Sequence, residues 1–246
     1  VYCKTHKFRI KKAYENKIED LKFKKIINKK TLFIYLANPN SPSGKLLDKN
    51  IILQILKIAD RNNKLVVIDE AYIEFSNQKS LVRVVKKFKN LIILKTFSKS
   101  IGLAGLRIGY MISNPKIINA INSIRPPHDI SYFSVKTAEF FLKEKKIWAS
   151  YLKEIKNSKR LVNKQCEKRN LRFTNTEANF FHIFFDKKKI LYLLKSFKKK
   201  KILVASRHLG NFKAYPNSLR ITYGSTSQMT LFFNTLDKIL KKGNLR

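Results

Sequence analysis

Four short, unbroken apolar runs constrain this chain more than any other feature. They read TLFIYLANP (31–39), KLVVID (64–69), LIILKT (91–96) and LRIGYMIS (106–113). Each is too short for a helix, lacks polar alternation and stops in a polar stretch. Apolar runs of this kind suit strands buried on both faces, and helices between them indicate a largely parallel sheet with helices packed on it. Between the first two runs, Asp48 is placed to cap a helix over NIILQILKIADRNN (50–63), where Ile51, Ile52, Ile55, Leu56 and Ala59 share one face.

The second half is patterned differently. Residues 126–170 begin with a double proline and read as one long or broken helical region. Then follow ANFFHIFF (178–185), a helix near 187–200, ILVAS (202–206), SLRITYG (218–224) and a closing helix from about Ser227. The expected class is α/β: a three-layer α/β/α large domain over residues 1–148 with a mostly parallel sheet, then a smaller α+β domain over 149–246. The boundary near Ala149 falls inside the long helix.

Composition excludes several classes. Only two cysteines occur, Cys3 and Cys166, in no C-x-x-C pattern, so neither a disulfide scaffold nor a structural zinc site is expected. No apolar run approaches the ~18 residues of a membrane span, and no secretory or lipidation signal is visible, which points to a cytoplasmic protein without a membrane partner. The formal charge is +37, from 53 Lys+Arg against 16 Asp+Glu. Such a field attracts polyanions. The lysines are nevertheless spread along the chain, and Lys, Ile, Asn and Phe are all abundant, as AT-rich codon usage produces. With no zinc-finger or RNP-like motif, a nucleic-acid partner is not expected.

Chemistry concentrates where the apolar runs end. Asp69 closes the second run, and ligands of open α/β sheets sit at the C-terminal ends of strands. Its mundane role is a cap on the helix that follows. Lys99 follows the third run between Ser98 and Ser100, in KTFSKSIGLAGLRIGY (95–110). A lysine held in such a crevice is partly desolvated, which favours the nucleophilic amine. Thr96 and Ser98 add hydroxyls, Gly102 and Gly105 permit close backbone approach, and Arg107 offers a bidentate fork for phosphate. The loop NPNSPSG (38–44) is rigid and polar. Arg220, in LRITYGS, is a second fork for an anion. Five of the seven glycines (Gly44, Gly102, Gly105, Gly109, Gly224) fall in these stretches. A carboxylate for a ring nitrogen, a lysine for an aldehyde, hydroxyls and an arginine for a phosphate and a second arginine for a substrate anion are what pyridoxal phosphate needs.

The stretches NPNSPSG, VVIDEAYIEF, KTFSKSIGLAGLRIGY, ANFFHIFF and LRITYGS resemble the histidinol-phosphate aminotransferase family of fold-type-I pyridoxal-phosphate enzymes, along essentially the whole chain. The resemblance implies that Lys99 is the Schiff-base lysine and proton shuttle, that Asp69 pairs with the ring nitrogen and that Tyr72 bonds the phenolic oxygen. Thr96, Ser98 and Arg107 would then hold the phosphate. It also implies that Arg220 binds a substrate carboxylate or phosphate, with Arg207 as a second anion contact. Ser41 stands where the family loop has an asparagine reaching the phenolic oxygen. The implied reaction moves an amino group between glutamate/2-oxoglutarate and a small phosphorylated substrate, histidinol phosphate foremost, in a homodimer. Relatives that act on other amino acids, sugar precursors or threonine phosphate leave the substrate open, and a non-catalytic relative is the alternative. Against the family, Val1 falls just after the ring-stacking aromatic, so an upstream phosphate-cradling loop is expected to be missing, with sheet surface exposed as a result.

Overall fold

A computed structural model describes residues 9–10, 23–127, 129–206 and 215–243. Two sheets organise it. The first has the order β1 (Phe33–Ala37), β2 (Leu65–Asp69), β3 (Leu91–Thr96), β4 (Gly109–Ile112). The first two pairings are parallel and the third antiparallel. The register sets Ala37 beside Asp69 and Asp69 beside Leu94, so three strands end on the same edge of the sheet.

Helix α1 (Lys49–Arg61) connects β1 to β2, and Asp48 caps it by accepting from the Asn50 N–H. Its apolar residues Ile52, Ile55, Leu56 and Ala59 are buried, and Ile52, Leu56 and Ala59 form one core with Val66, Ile68, Leu91 and Ile93 of the sheet. Each fully buried aliphatic side chain contributes about 1.5–3 kcal/mol, so this seam fixes the helix on the sheet. No α-helix connects β2 to β3. Two 3-10 turns, Ile73–Phe75 and Leu81–Lys86, do so instead. On the opposite face of the sheet Ile92 is buried, whereas Phe33, Tyr35, Leu65 and Met111 are 45%, 52%, 38% and 37% exposed.

Helix α2 (Pro115–Asn122) was not expected from the sequence. Asn114 caps it and Pro115 occupies its first turn, a combination that starts helices well but that an eight-residue apolar segment does not announce. The long helical region is broken once, at Glu144, into α3 (Tyr132–Lys143) and α4 (Lys145–Lys168). Residue 149 lies near the start of α4. Further along, Ile155, Ser158, Val162 and Cys166 are buried, and the three apolar ones join the second core.

That core packs around a small antiparallel sheet of order β5 (Phe180–Phe184), β7 (Ser218–Thr222), β6 (Ala205–Ser206). Helices α5 (Lys187–Lys199) and α6 (Thr226–Lys242) complete it. Ser225 and Gln228 form a reciprocal capping box at the start of α6. Of the expected strand 202–206, only Ala205 and Ser206 pair. Among the described residues no helix is long and apolar enough to cross a membrane.

Candidate active site

Strand geometry sorts the two adjacent carboxylates at the end of β2. Successive side chains point to opposite faces. Glu70 turns inward and is fully buried, accepting from the Ser80 hydroxyl at 2.5 Å and the Leu81 N–H at 2.7 Å. Asp69 lies on the other face, half-buried, at the C-terminal end of the strand. Its Oδ1 accepts from the Ala71 N–H at 3.0 Å and its Oδ2 from the Tyr35 hydroxyl at 2.5 Å. Asp69 therefore caps a turn, not a helix, with one oxygen and holds the Tyr35 hydroxyl with the other.

A parallel sorting separates the two lysines that follow. Lys95 points to the Glu70 side and pairs with Glu74 at 2.6 Å and Glu70 at 3.2 Å. Burial works against its ammonium, but the hydrogen bonds and charges of Glu74 and Glu70 outweigh that and hold it above the ordinary lysine value. Lys95 is thus locked as a cation. Lys99, four residues on, has no ion pair or hydrogen bond at Nζ among the described residues. Its ammonium stands 5.6 Å from the centroid of the Tyr72 ring.

The turn that carries Lys99 is closed by backbone bonds from Leu103 to Phe97 at 2.9 Å and from Gly102 to Lys99 at 3.2 Å. Gly102 has φ +78° and Arg107 φ +55°. Only a glycine takes that conformation freely. Gly109 is needed for another reason: a Cβ there would stand 2.8 Å from the Lys95 carbonyl oxygen. Thr96 Oγ1 accepts from the Ser98 N–H at 3.1 Å and donates to the Ile108 carbonyl at 3.4 Å. Arg107 is exposed, with Nη1 donating to the Ala104 carbonyl at 3.1 Å.

The second sheet reaches the same place from the other side. Phe180 of β5, buried with Ala178, meets the Tyr72 ring edge-on at 5.5 Å. The Arg220 guanidinium lies 3.7 Å above the Phe180 ring. Lys99, Tyr72, Phe180 and Arg220 thereby form one continuous run of cation and ring contacts across both sheets. Arg220 has no ion pair among the described residues. Arg207 lies outside the described residues.

The loop after β1 is held from both sheets. Within it, Asn38 is fully buried and accepts from the Leu47 N–H at 2.8 Å, and its own N–H donates to the Asp69 carbonyl at 2.9 Å. From the second sheet, the Glu177 N–H donates to the Gly44 carbonyl at 2.7 Å, and His182 Nε2 donates to the Pro42 carbonyl at 3.0 Å. Ser41 is exposed at the loop tip. Sequence reasoning missed Tyr35 and His182 as parts of this arrangement. Tyr35 was legible only from the β1–β2 register. His182 gave no local signal, because its partner lies 140 residues away.

The sheet order and the edge where the strands end define an α/β fold, with the lysine in its closed turn at that edge. The profile of "Aminotransferase class I and II" matches residues 2–236, and the chain belongs to that family. It is 34% identical over 238 residues to the histidinol-phosphate aminotransferase of Campylobacter jejuni subsp. jejuni, covering 94% of this chain and 61% of that protein. To the histidinol-phosphate aminotransferase of Ruminiclostridium cellulolyticum it is 36% identical over 211 residues, covering 82% and 55%. The chain thus spans about 55–61% of the length of these curated relatives. Among solved structures, a putative histidinol-phosphate aminotransferase from Erwinia carotovora atroseptica superimposes with TM-score 0.82 at 24% identity, over 98% of this chain and 71% of that one. The L-threonine-O-3-phosphate decarboxylase of Porphyromonas gingivalis gives the same TM-score at 23% identity, over 97% and 72%. Fold likeness at this level does not separate the two chemistries.

Proposed function

We propose that this chain serves a pyridoxal-phosphate aminotransferase that moves an amino group between glutamate/2-oxoglutarate and a small phosphorylated substrate, histidinol phosphate/imidazole-acetol phosphate foremost. The observation that carries the reading is the placement of Lys99: an amine with no ion pair, over the Tyr72 ring, beside the strand end that presents Asp69. The names of the relatives in Campylobacter and Ruminiclostridium support the substrate.

The donor set suits the cofactor. Asp69 supplies a carboxylate for a ring nitrogen, Lys99 an amine for an aldehyde and Tyr72 a hydroxyl for a phenolic oxygen. Thr96, Ser98 and Arg107 supply hydroxyls and a guanidinium for a phosphate. When bound, the cofactor acts as an electron sink that stabilises a carbanion at the substrate Cα. Lys99 then has the role of general base and acid, carrying a proton from and to carbon within reach of its Nζ. Arg220 orients the substrate by its carboxylate or phosphate, two oxygens of either anion matching the planar fork. Phe180 keeps that guanidinium over an aromatic face and excludes water from the side next to Tyr72. Two copies of the chain assemble in the active form.

The test is borohydride reduction after incubation with pyridoxal phosphate, followed by peptide mass spectrometry. A pyridoxyl group on the Lys99 peptide, absent in Lys99→Ala, is the expected result. Label distributed over surface lysines, unchanged in Lys99→Ala, would refute the reading.

A further inference from the structure

Tyr35 holds the carboxylate on which the proposed cofactor site depends. Register explains how. Tyr35 is paired with Val67, and Asp69 with Ala37, so Tyr35 and Asp69 are diagonal neighbours on the same sheet face. Neighbouring strands lie ~4.7–4.9 Å apart, so a diagonal neighbour on the same face is within reach of an aromatic side chain. The phenol spans that gap and ends 2.5 Å from Asp69 Oδ2, while the Ala71 N–H takes Oδ1. With one donor on each oxygen, the plane of the carboxylate is fixed. Each oxygen keeps a further acceptor direction, since an ionised carboxylate has about four lone-pair sites.

We propose that Tyr35 is a positioning residue for the ring nitrogen of the cofactor, acting through Asp69. The inference rests on the aminotransferase reading above. Packing alone does not explain this residue. Tyr35 is 52% exposed, and Phe33 and Leu65, on the same face, show that side chains without a hydroxyl suit the surface equally well. What is special is the hydroxyl and where it ends. Burial, the hydrogen bond to Asp69 and the carboxylate's charge all push the phenol well above its ordinary value. It therefore stays a donor throughout the pH range in which an enzyme works.

The experiment has two arms, both on the full chain. The first needs no cofactor. Carbon-13 NMR of the tyrosine ring carbons, with Tyr35 assigned by its loss in Tyr35→Phe, follows its titration in the wild type and in Asp69→Asn. Tyr35 is expected to resist ionisation in the wild type and to ionise at clearly lower pH in Asp69→Asn. Identical titration in both proteins would overturn the pair. The second arm measures dissociation constants of pyridoxal 5′-phosphate and of its 1-deaza analogue, in which C–H replaces the ring nitrogen. A charge-assisted hydrogen bond is worth about 1.5–3 kcal/mol, so Tyr35→Phe is expected to weaken pyridoxal phosphate by roughly tenfold or more. The analogue, having no nitrogen for Asp69 to hold, should bind both proteins alike. Equal weakening of both ligands, or of neither, would overturn the positioning role. A wild-type chain that takes up neither ligand would overturn both the cofactor reading and this role, while the first arm still decides whether Tyr35 and Asp69 are paired.

Discussion

Gly44 is where the first sheet's loop meets the second sheet most tightly, and Gly44→Ala should break that joint. Two independent costs arise. Gly44 has φ +71°, and an L-residue in the left-handed region costs about 1–2 kcal/mol. A Cβ built there would also collide with Thr176 Cβ and stand 2.8 Å from its Cγ2. Thr176 cannot simply swing away, because its hydroxyl is bonded to the Phe180 carbonyl. The 173–177 segment must shift, and the bond from the Glu177 N–H to the Gly44 carbonyl goes with it, at about 0.5–1.5 kcal/mol. The total expected loss is about 2–4 kcal/mol, read as a lower urea midpoint with an unchanged slope. The nearest offending atom is the Thr176 Cβ itself, so Thr176→Ala should not help, whereas Thr176→Gly should. In a double-mutant cycle, Gly44→Ala with Thr176→Gly is expected to recover the contact part, about 1–2 kcal/mol, and to leave the backbone part. Gly44→Ala within ~0.5 kcal/mol of the wild type, or strict additivity of the two changes, would refute the reasoning.

Three further outcomes follow from the same structure. Lys159 donates to the Phe75 and Thr176 carbonyls, both at 3.0 Å, and burial pulls its pKa down from 10.5 to about 8, against a smaller opposing pull from Glu177. In the window between about 8 and 10.5 the unfolded chain binds more protons at this site than the folded chain, so its contribution to stability rises with pH there. Urea midpoints at pH 7.5 and 10 should therefore diverge between the wild type and Lys159→Met, with the wild type gaining relative to the variant; parallel behaviour would contradict this. Lys95→Met leaves the fully buried Glu70 without its cation and should cost about 3–5 kcal/mol in chemical denaturation, part of which Glu70→Gln should restore. Ser225→Ala removes the capping box of α6 and should cost about 1 kcal/mol by the same assay, with no change in borohydride labelling of Lys99.

The sequence by itself marked most of the strands, the first helix and the residue types that stand near each strand end. Apolar runs without alternation marked β1 to β4, and Asp48 with the stripe from Ile52 to Ala59 marked α1, because both signals are local and repeat with the period of the structure. Asp69 and Lys99 stood out as candidates because each lies at or beside a strand end, and Lys99 and Arg220 because their stretches also carry glycines and hydroxyls, whereas Tyr72 was singled out only through the family resemblance. Tertiary structure decided what those residues touch. It turned Glu70 and Lys95 to one face of the sheet and Asp69 to the other. It brought Phe180 and Arg220 to Tyr72, and it set His182 against Pro42. The Tyr72–Phe180 and Pro42–His182 contacts join residues about 110 and 140 positions apart, and no local pattern encodes a pairing whose two halves are each unremarkable alone. The partly exposed sheet face makes the same point. Phe33, Tyr35, Leu65 and Met111 read as interior residues, because apolarity says only that a side chain favours burial, whereas whether anything packs on it is settled by the neighbours that the fold supplies.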